Sequence, residues 1–516
     1  MEKVEDEVST TKFEELLYSG QFILGPFFIE QFTSWKRISI NSSIHLTVHP
    51  HLNSFQSVYQ DKSLTLLGFI LDPDNPQASD SEIINILIHQ LANCDDFLKE
   101  TYKFGGRWIL IVNDGKEIRL FNDATGLRQN FYTDTRYTKD IWCASQPGII
   151  AETLKLEMDP KAIEFINSCE FSNKKEPNWP FESSPYREIK HMLPNHWVNL
   201  ETGICERYWP DKALPELSLK EAVKKISADL QGLMKAASNR FDLVLAITSG
   251  WDSRVVLASS KDIINKIYSF ETVQQNGMPD SHPDLTIPSA LLSKFGLKHD
   301  IIKSSCNLNG DFIKIFKKSV TLAHDVWAPD AQAILDYYSR NKVAVVGSVS
   351  EHGRCHYFNS LRKHREKKLT SHELAMLYYG GKNQYVIDFN QKWLLGLKEI
   401  YNFDIPELFL WEQGHGNWLA VCQLEFGMVW KEIFTPFNCR RLIINMLSVD
   451  ERYRRPPKHK LHKQLILNLW PEVLLEPINP HYKKSLMKKY KILIRSYIGD
   501  ILPDFLKNII KKHLGN

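Results

Sequence analysis

Two stretches of this chain combine residue types that could bind and process a phosphate. In the first, the unbroken apolar run Leu243-Val244-Leu245-Ala246-Ile247 is followed by Thr248-Ser249-Gly250-Trp251-Asp252-Ser253 and then by a second apolar start, Arg254 to Ala258. The apolar run fits a strand buried on both faces. A strand, a tight polar turn and a helix start together make an anion site. The first N–H groups of the helix point outward, and the helix dipole adds partial positive charge. The small residues Thr248, Ser249 and Gly250 let a phosphate approach the backbone. No Gly-Lys-Ser/Thr follows, so this is not a Walker A loop; an ordinary α/β turn has the same outline. In the second stretch, Val343-Ala344-Val345-Val346 again reads as a buried strand, and it breaks into Gly347-Ser348-Val349-Ser350-Glu351-His352-Gly353-Arg354.

The elements that must position these turns read as a doubly wound parallel sheet. Leu219 to Ala237 has helical spacing at Ala222, Val223, Ile226, Leu230, Leu233 and Met234. Ile264 to Phe270 reads as a second strand, Asp280 to Phe295 as a helix and Lys298 to Ile302 as a third strand. Ligands of such sheets gather at the strand ends. Before residue 210 the pattern is different. Short strand-like runs cover Phe22 to Phe28, Ile44 to Val48 and Thr65 to Leu71, and Ser81 to Leu98 is spaced as one helix. Phe104 to Val112 and Glu117 to Asn122 flank a turn at Asn113-Asp114-Gly115. Pro210 to Glu216 is a polar, proline-bearing linker.

The 516 residues suggest two or three domains. Net charge is +3, which gives no general attraction to nucleic acid or membranes. The eight cysteines are scattered without a Cys-x-x-Cys pair, so neither a disulfide framework nor a zinc ribbon is indicated. The acidic start, with no signal-type apolar stretch and no run of about 18 apolar residues anywhere, predicts a cytoplasmic protein with no membrane partner.

Thr248 to Ser253 resembles, position by position, the Ser-Gly-Gly-x-Asp-Ser pyrophosphatase loop of the asparagine synthetase family, with Thr248 for the first serine and Ser249 for the first glycine. Gly347 to Arg354 resembles that family's Gly-Glu-Gly-Ala-Asp-Glu loop, and more closely the Gly-x-Gly-x-Glu-x-Gly-Arg form of divergent relatives. The resemblance implies ATP and Mg2+ as cofactors. ATP is held by Thr248, Ser249, Gly250, Trp251, Asp252, Ser253, Phe270 and Gly347, and the metal by Asp252 and Glu351; a phosphate-bridging ion takes one or two carboxylates plus water. Arg354 would neutralise pyrophosphate or orient an acidic substrate. Ser348 stands where the family often has a Glu or Tyr that activates the amine, and a hydroxyl without an adjacent base is a poor general base; His352 either assists it or is a turn histidine without a role. Asp284 resembles an acidic residue of the family, although a solvated helix-start aspartate fits equally. Phe434 to Asn438 resembles the segment facing the acceptor pocket. The family's catalytic lysine follows a Leu-Pro turn, which Trp470-Pro471-Glu472 fits, and Lys483 and Lys484 are the candidates. The basic series Arg452, Arg454, Arg455, Lys458, Lys460 and Lys463 reads as a solvated face.

The N-terminal half resembles the Ntn-type glutaminase domain that precedes the synthetase domain in this family. Trp142-Cys143-Ala144-Ser145 and the hairpin ending Arg207-Tyr208-Trp209 carry the likeness. Its chemistry is missing. Met1 is followed by Glu2 where a cysteine nucleophile is required, and Leu67 takes the place of the oxyanion asparagine. The implied organisation is a disordered segment 1–20, an inactive Ntn-like β-sandwich at 21–210, and an ATP pyrophosphatase domain at 217–516. The implied reaction is adenylation of a carboxylate, followed by amide formation with ammonia or a substrate amine and release of AMP and pyrophosphate. β-lactam synthetases and lasso-peptide cyclases are relatives of this kind. The expected partners are a small-molecule or peptide carboxylate and an amine donor, without nucleic acid; whether the chain dimerises is open. The rivals are a catalytically inactive binding or scaffold protein of the same fold, and a tRNA-thiolating enzyme, which would need reactive cysteines beside the loop, where only Cys355 stands.

Overall fold

The strands before residue 210 form two six-stranded antiparallel sheets. One runs Ile189–His191, Phe131–Thr133, Cys143–Ala144, Phe22–Gly25, His45–Val48, Lys36–Ser39; the other runs Cys205–Arg207, His196–Asn199, Ile118–Asn122, Gly105–Asn113, Lys62–Leu71, Ser54–Tyr59. This is a computed structural model, and it describes residues 13–357, 360, 369–379, 381–401 and 403–480. Alternation along the strands sorts side chains to opposite faces. Phe22, Leu24, Leu46, Val48, Leu67, Ile109, Ile111 and Leu120 meet between the sheets. Leu64, Leu66, Leu110 and Val112 face the helices Asp80–Gln90 and Cys94–Glu100 on one outer side. Helix Pro147–Leu154 covers the other sheet. The first half is therefore a helix–sheet–sheet–helix sandwich.

The single helix expected over residues 81–98 is two helices. Asn93 breaks it, because its side chain accepts the Asp96 N–H and caps a new N-terminus. The segment from residue 13 to 20, expected to be disordered, is built into the fold where it is described. Phe13 and Leu16 are buried with Phe312 and Phe316, and the Tyr18 N–H donates to Ser319 Oγ at 3.0 Å. Residues 1–12 lie outside the described residues.

The second half is built on a five-stranded, fully parallel sheet ordered His299–Lys303, Ile267–Gln274, Leu243–Ala246, Val343–Val345, Glu432–Phe434. Leu243 and Leu245 point into a core with helices Leu219–Arg240 and Trp251–Ser259; Val244 and Ala344 point into the opposite one, with Gly310–Ser319 and Ala328–Tyr338. Burial on both faces explains the unbroken apolar runs. Helix Leu219–Arg240 starts at a capping box between Ser218 and Glu221. The fold is thus mixed α/β, a sandwich of antiparallel sheets followed by a doubly wound parallel sheet. No helix among the described residues is long and apolar enough to cross a membrane.

The two halves share a buried, polar seam. Glu432 accepts from Arg128 Nη2 at 2.5 Å and pairs with Arg107 Nη1 at 3.5 Å. Asn438, expected to face the acceptor pocket, lies in this seam instead. Its Oδ1 accepts from the Thr125 N–H and Oγ1 at 3.0 and 2.8 Å, and its Nδ2 donates to the Gly106 carbonyl at 2.8 Å. The Arg207-Tyr208-Trp209 triplet belongs to the seam too. Arg207 pairs with buried Glu412, Tyr208 OH accepts from Arg440, and Trp209 packs on Trp411 and Phe403.

Candidate functional site

In a sheet whose chain order is third, second, first, fourth, fifth, the switch point lies between the first and fourth strands, and ligands enter there at the carboxyl ends. The strands at that point are Leu243–Ala246 and Val343–Val345, which pair in parallel. Their following loops are the two stretches singled out by residue type, and the fold brings them into contact. Gly347 makes this possible. A Cβ there would stand 2.7 Å from the Asp252 carbonyl carbon and 2.9 Å from the Ser253 nitrogen, both backbone. We expect Gly347→Ala to cost about 1–3 kcal/mol through forced displacement of the two loops, read as a lower thermal midpoint.

Asp252 and Glu351 meet across this gap, bridged by Arg354. Arg354 Nη2 is 2.8 Å from Asp252 Oδ2 and 3.5 Å from Glu351 Oε1. Ser350 Oγ donates to Asp252 Oδ1. Burial first, and then the nearby Glu351 charge, push the Asp252 carboxyl up to about 6 against the pull of Arg354. At Glu351 burial also pushes upward, but His415 and Arg354 outweigh it and hold that carboxyl well below the ordinary range. Two carboxylates sharing one guanidinium thus place the proton affinity of the pair on Asp252.

Three neighbours of the pair were not evident from the sequence. His415 Nε2 stands 3.5 Å from Glu351 Oε2, and fully buried His462 has its Nε2 3.8 Å from Asp252 Oδ1. Ser350 is the third. His415 comes from the π-helical stretch Leu410–Leu419 and His462 from helix Lys460–Leu469, both distant in sequence. The Gly414-His415-Gly416 triplet in an otherwise bulky aromatic stretch was the available signal for His415.

The loop itself is braced from within. The Thr248 N–H donates to Ser253 Oγ at 3.1 Å, the Gly250 N–H to Thr248 Oγ1 at 3.2 Å, and the Ser249 N–H to Asp284 Oδ1 at 3.0 Å. Ser249 Oγ also donates to Asp284 Oδ1, at 2.6 Å. The amides of Thr248, Ser249 and Gly250 are therefore engaged by side chains. Asp284, a partly exposed residue in the first turn of helix Pro283–Lys294, tethers the loop. Among the described residues no side chain caps helix Trp251–Ser259, so its first turn is left open, with the positive end of the helix dipole facing outward. Trp251 is half-buried, with its ring 5.9 Å from His459. Phe270 is buried in the core against the helices of that face.

The remaining expected residues sort as follows. Ser348 lines a cavity of about 480 Å³ together with Glu351, His356, Tyr357, His415 and Lys174. His352 is neither a free turn histidine nor adjacent to Ser348 by any bond. It is fully buried, its Nδ1 is 3.3 Å from Glu407 Oε2, and its ring packs on Trp411 and His415. Arg454, expected on a solvated basic face, is also buried and holds Glu407 at 2.7 Å and the His352 carbonyl at 2.8 Å. Lys483 and Lys484 lie outside the described residues. In the first half, Leu67 is sealed in the inter-sheet core. Burial pushes the thiols of Cys143 and Cys205 up to about 12, the opposite of an activated nucleophile.

The fit of a divalent cation and a phosphate chain can be judged from polar atoms left without partners. Among the described residues, Glu351 Oε2, Arg354 Nε, His415 Nδ1 and both ring nitrogens of His462 are buried without a hydrogen bond. Such atoms are costly unless a ligand or water answers them. The donor set is two carboxylates and a serine hydroxyl, the oxygen-rich kind that suits Mg2+. The residues present fit the group.

The chain matches no protein-family model and no curated protein. Among solved structures it is similar to a glutamine phosphoribosylpyrophosphate amidotransferase from B. subtilis complexed with ADP and GMP, at 10% identity over 69% of this chain and 74% of that one, with a TM-score of 0.23. It is also similar to an allosteric regulatory enzyme of purine biosynthesis, at 10% identity over 61% of this chain and 76% of that one, with a TM-score of 0.24.

Proposed function

We propose that this chain is an asparagine synthetase-like, AMP-forming carbon–nitrogen ligase that works without its own glutamine hydrolysis. The observation that carries the reading is the convergence of Asp252 and Glu351 from the two loops of the switch point, with Arg354 between them. In this reading a substrate carboxylate oxygen attacks the α-phosphorus of ATP and pyrophosphate leaves. An amine then attacks the acyl carbon, AMP leaves, and the amine proton passes to solvent or to a nearby base. Asp252 and Glu351 would hold Mg2+, which supplies charge neutralisation on the departing pyrophosphate. Arg354 gives up its bridging position to that cation and turns to the anions. The first turn of helix Trp251–Ser259 faces the phosphates. The cavity at Ser348 takes the acyl substrate and the amine. Lys174, which burial brings down to about 8, contributes from the sandwich half a cation that titrates near neutrality.

The test is ATP–pyrophosphate exchange over a panel of carboxylates, with and without magnesium. Exchange that needs both the metal and one carboxylate supports the ligase and identifies its first substrate. Failure of ATP to bind at all overturns it in favour of a catalytically inactive scaffold. A pH dependence follows from Asp252. A carboxylate must shed its proton to bind a metal, and the folded-state value stands near 6. Exchange at subsaturating magnesium should therefore be flat above about pH 7 and fall about tenfold per unit below pH 6, as expected for one competing proton. Raising the magnesium concentration should move that limb to lower pH.

A further inference from the structure

A second group of potential ligands lies away from the Asp252–Glu351 pair. His324, Cys422 and Glu425 are all buried, and one ligand atom from each falls within 4.8 Å of the others. Cys422 and Glu425 sit one turn apart on helix Ala420–Phe426, and His324 comes from the loop after helix Gly310–Ser319.

The hydrogen bonds fix the state of the imidazole. His324 Nε2 is 2.6 Å from the Pro177 carbonyl oxygen, which only accepts, so Nε2 carries a proton. In a neutral ring Nδ1 is then a bare lone pair. It faces Glu425 Oε2 at 3.0 Å, while Glu425 Oε1 already accepts the His324 N–H at 2.5 Å. Two acceptors held that close in a dry interior need a positive centre. A proton is one answer and a metal ion is the other. The third group favours the metal, because a thiol adds nothing to an imidazolium–carboxylate pair but completes a nitrogen–oxygen–sulfur set. The bond from Nε2–H to a backbone carbonyl is also the outer-shell contact that metal-binding histidines typically make.

We propose that His324 Nδ1, Glu425 Oε2 and Cys422 Sγ bind a zinc ion. Zinc bond lengths of about 2.0–2.3 Å set tetrahedral ligands roughly 3.3–3.8 Å apart, so the pair at 3.0 Å opens by a few tenths of an ångström. Glu176 lies near enough for its charge to be felt at the cluster, and a water would complete the set. Its carboxylate accepts from Trp418 Nε1 at 2.8 Å, one turn before Cys422, and its charge acts on all three ligands. The ion would join the sandwich half, through the Pro177 carbonyl on His324 Nε2, to the helix that follows the His415 stretch. This site is independent of the ligase reading.

The experiment uses the full-length protein, stripped with a chelator and reloaded with Co2+. Expected is one tightly held cobalt per chain, with a thiolate-to-cobalt charge-transfer band in the near ultraviolet and tetrahedral bands in the visible. Cys422→Ser removes the charge-transfer band and His324→Ala lowers the affinity at least tenfold, whereas Cys169→Ser, at an exposed cysteine, changes neither. Absence of a charge-transfer band in the wild-type protein overturns the proposal, and this readout does not depend on any variant folding. So does an NMR spectrum showing both His324 ring nitrogens protonated at neutral pH in metal-replete protein, which assigns the positive centre to a proton.

Discussion

Asp252→Asn should lower ATP–pyrophosphate exchange by about 10²–10³-fold. Several kcal/mol of charge stabilisation are lost when a metal-binding carboxylate becomes an amide, and each factor of ten corresponds to about 1.4 kcal/mol. The substitution is nearly isosteric, and its effect on folding should be small. Asp252 is already pushed toward its neutral form by burial and by Glu351, Ser350 can still bond to the side chain, and Arg354 keeps Glu351. The two carboxylates therefore differ in character. Asp252→Asn should move the acid limb out of the exchange profile, because the group titrating near 6 is gone. Glu351→Gln should lower exchange without removing that limb. Exchange within a few-fold of wild type in Asp252→Asn, with ATP still bound, would show that the pair at the switch point does not hold the metal.

Glu412→Ala should destabilise the protein by about 3–5 kcal/mol, the range for removing one partner of a buried ion pair. The carboxylate is completely shielded. It takes Arg207 Nη2 at 2.8 Å and a second contact from Arg207 Nη1, Asn195 Nδ2 at 3.0 Å and Trp393 Nε1 at 2.7 Å. Removal strands an arginine, an amide and an indole N–H together, and each unanswered buried donor adds its own penalty. Because Arg207 and Asn195 belong to the sandwich and Glu412 and Trp393 to the other half, the loss falls on the seam. Expected are a lower thermal midpoint and faster proteolysis in the 210–217 linker. Glu412→Gln keeps the acceptor for Trp393 and should lose less. A melting profile for Glu412→Ala that superimposes on wild type would contradict the role assigned to this contact.

Much of the second half is legible in the sequence, because its sheet is buried on both faces and its strands therefore read as pure apolar runs. The loops after Leu243–Ala246 and Val343–Val345 are visible for a related reason: a small or polar residue after such a run must mark a strand end. What the sequence does not display is which distant side chains fold back onto those loops. His415, His462 and Ser350 carry no local pattern, and His352 and Arg454 look solvated until Glu407 is placed beneath them. Asn438 shows the converse. Its motif context predicts a pocket, but its amide has both a donor and an acceptor, and the seam between the halves uses both. Nor does the sequence display that Asp284 and Ser253 lie close enough in space to take the amides of Ser249 and Thr248. The break at Asn93 was readable, since Asn93-Cys94-Asp95-Asp96 is an N-cap followed by acidic residues.

Arg254, three residues past the start of helix Trp251–Ser259, is entirely enclosed. It donates to the carbonyls of Val473, Glu476 and Pro477 at 2.7, 3.4 and 3.2 Å, and the Asn479 N–H donates to the Ser249 carbonyl at 3.0 Å. Made near the middle of the chain, this guanidinium has no acceptors until residues more than two hundred positions later have been synthesised. A growing polypeptide on the ribosome therefore carries an unfinished loop while more than two hundred further residues are added, and a chain cut short before residue 473 leaves its buried cation unanswered. Quality control would meet such a fragment as a misfolded protein.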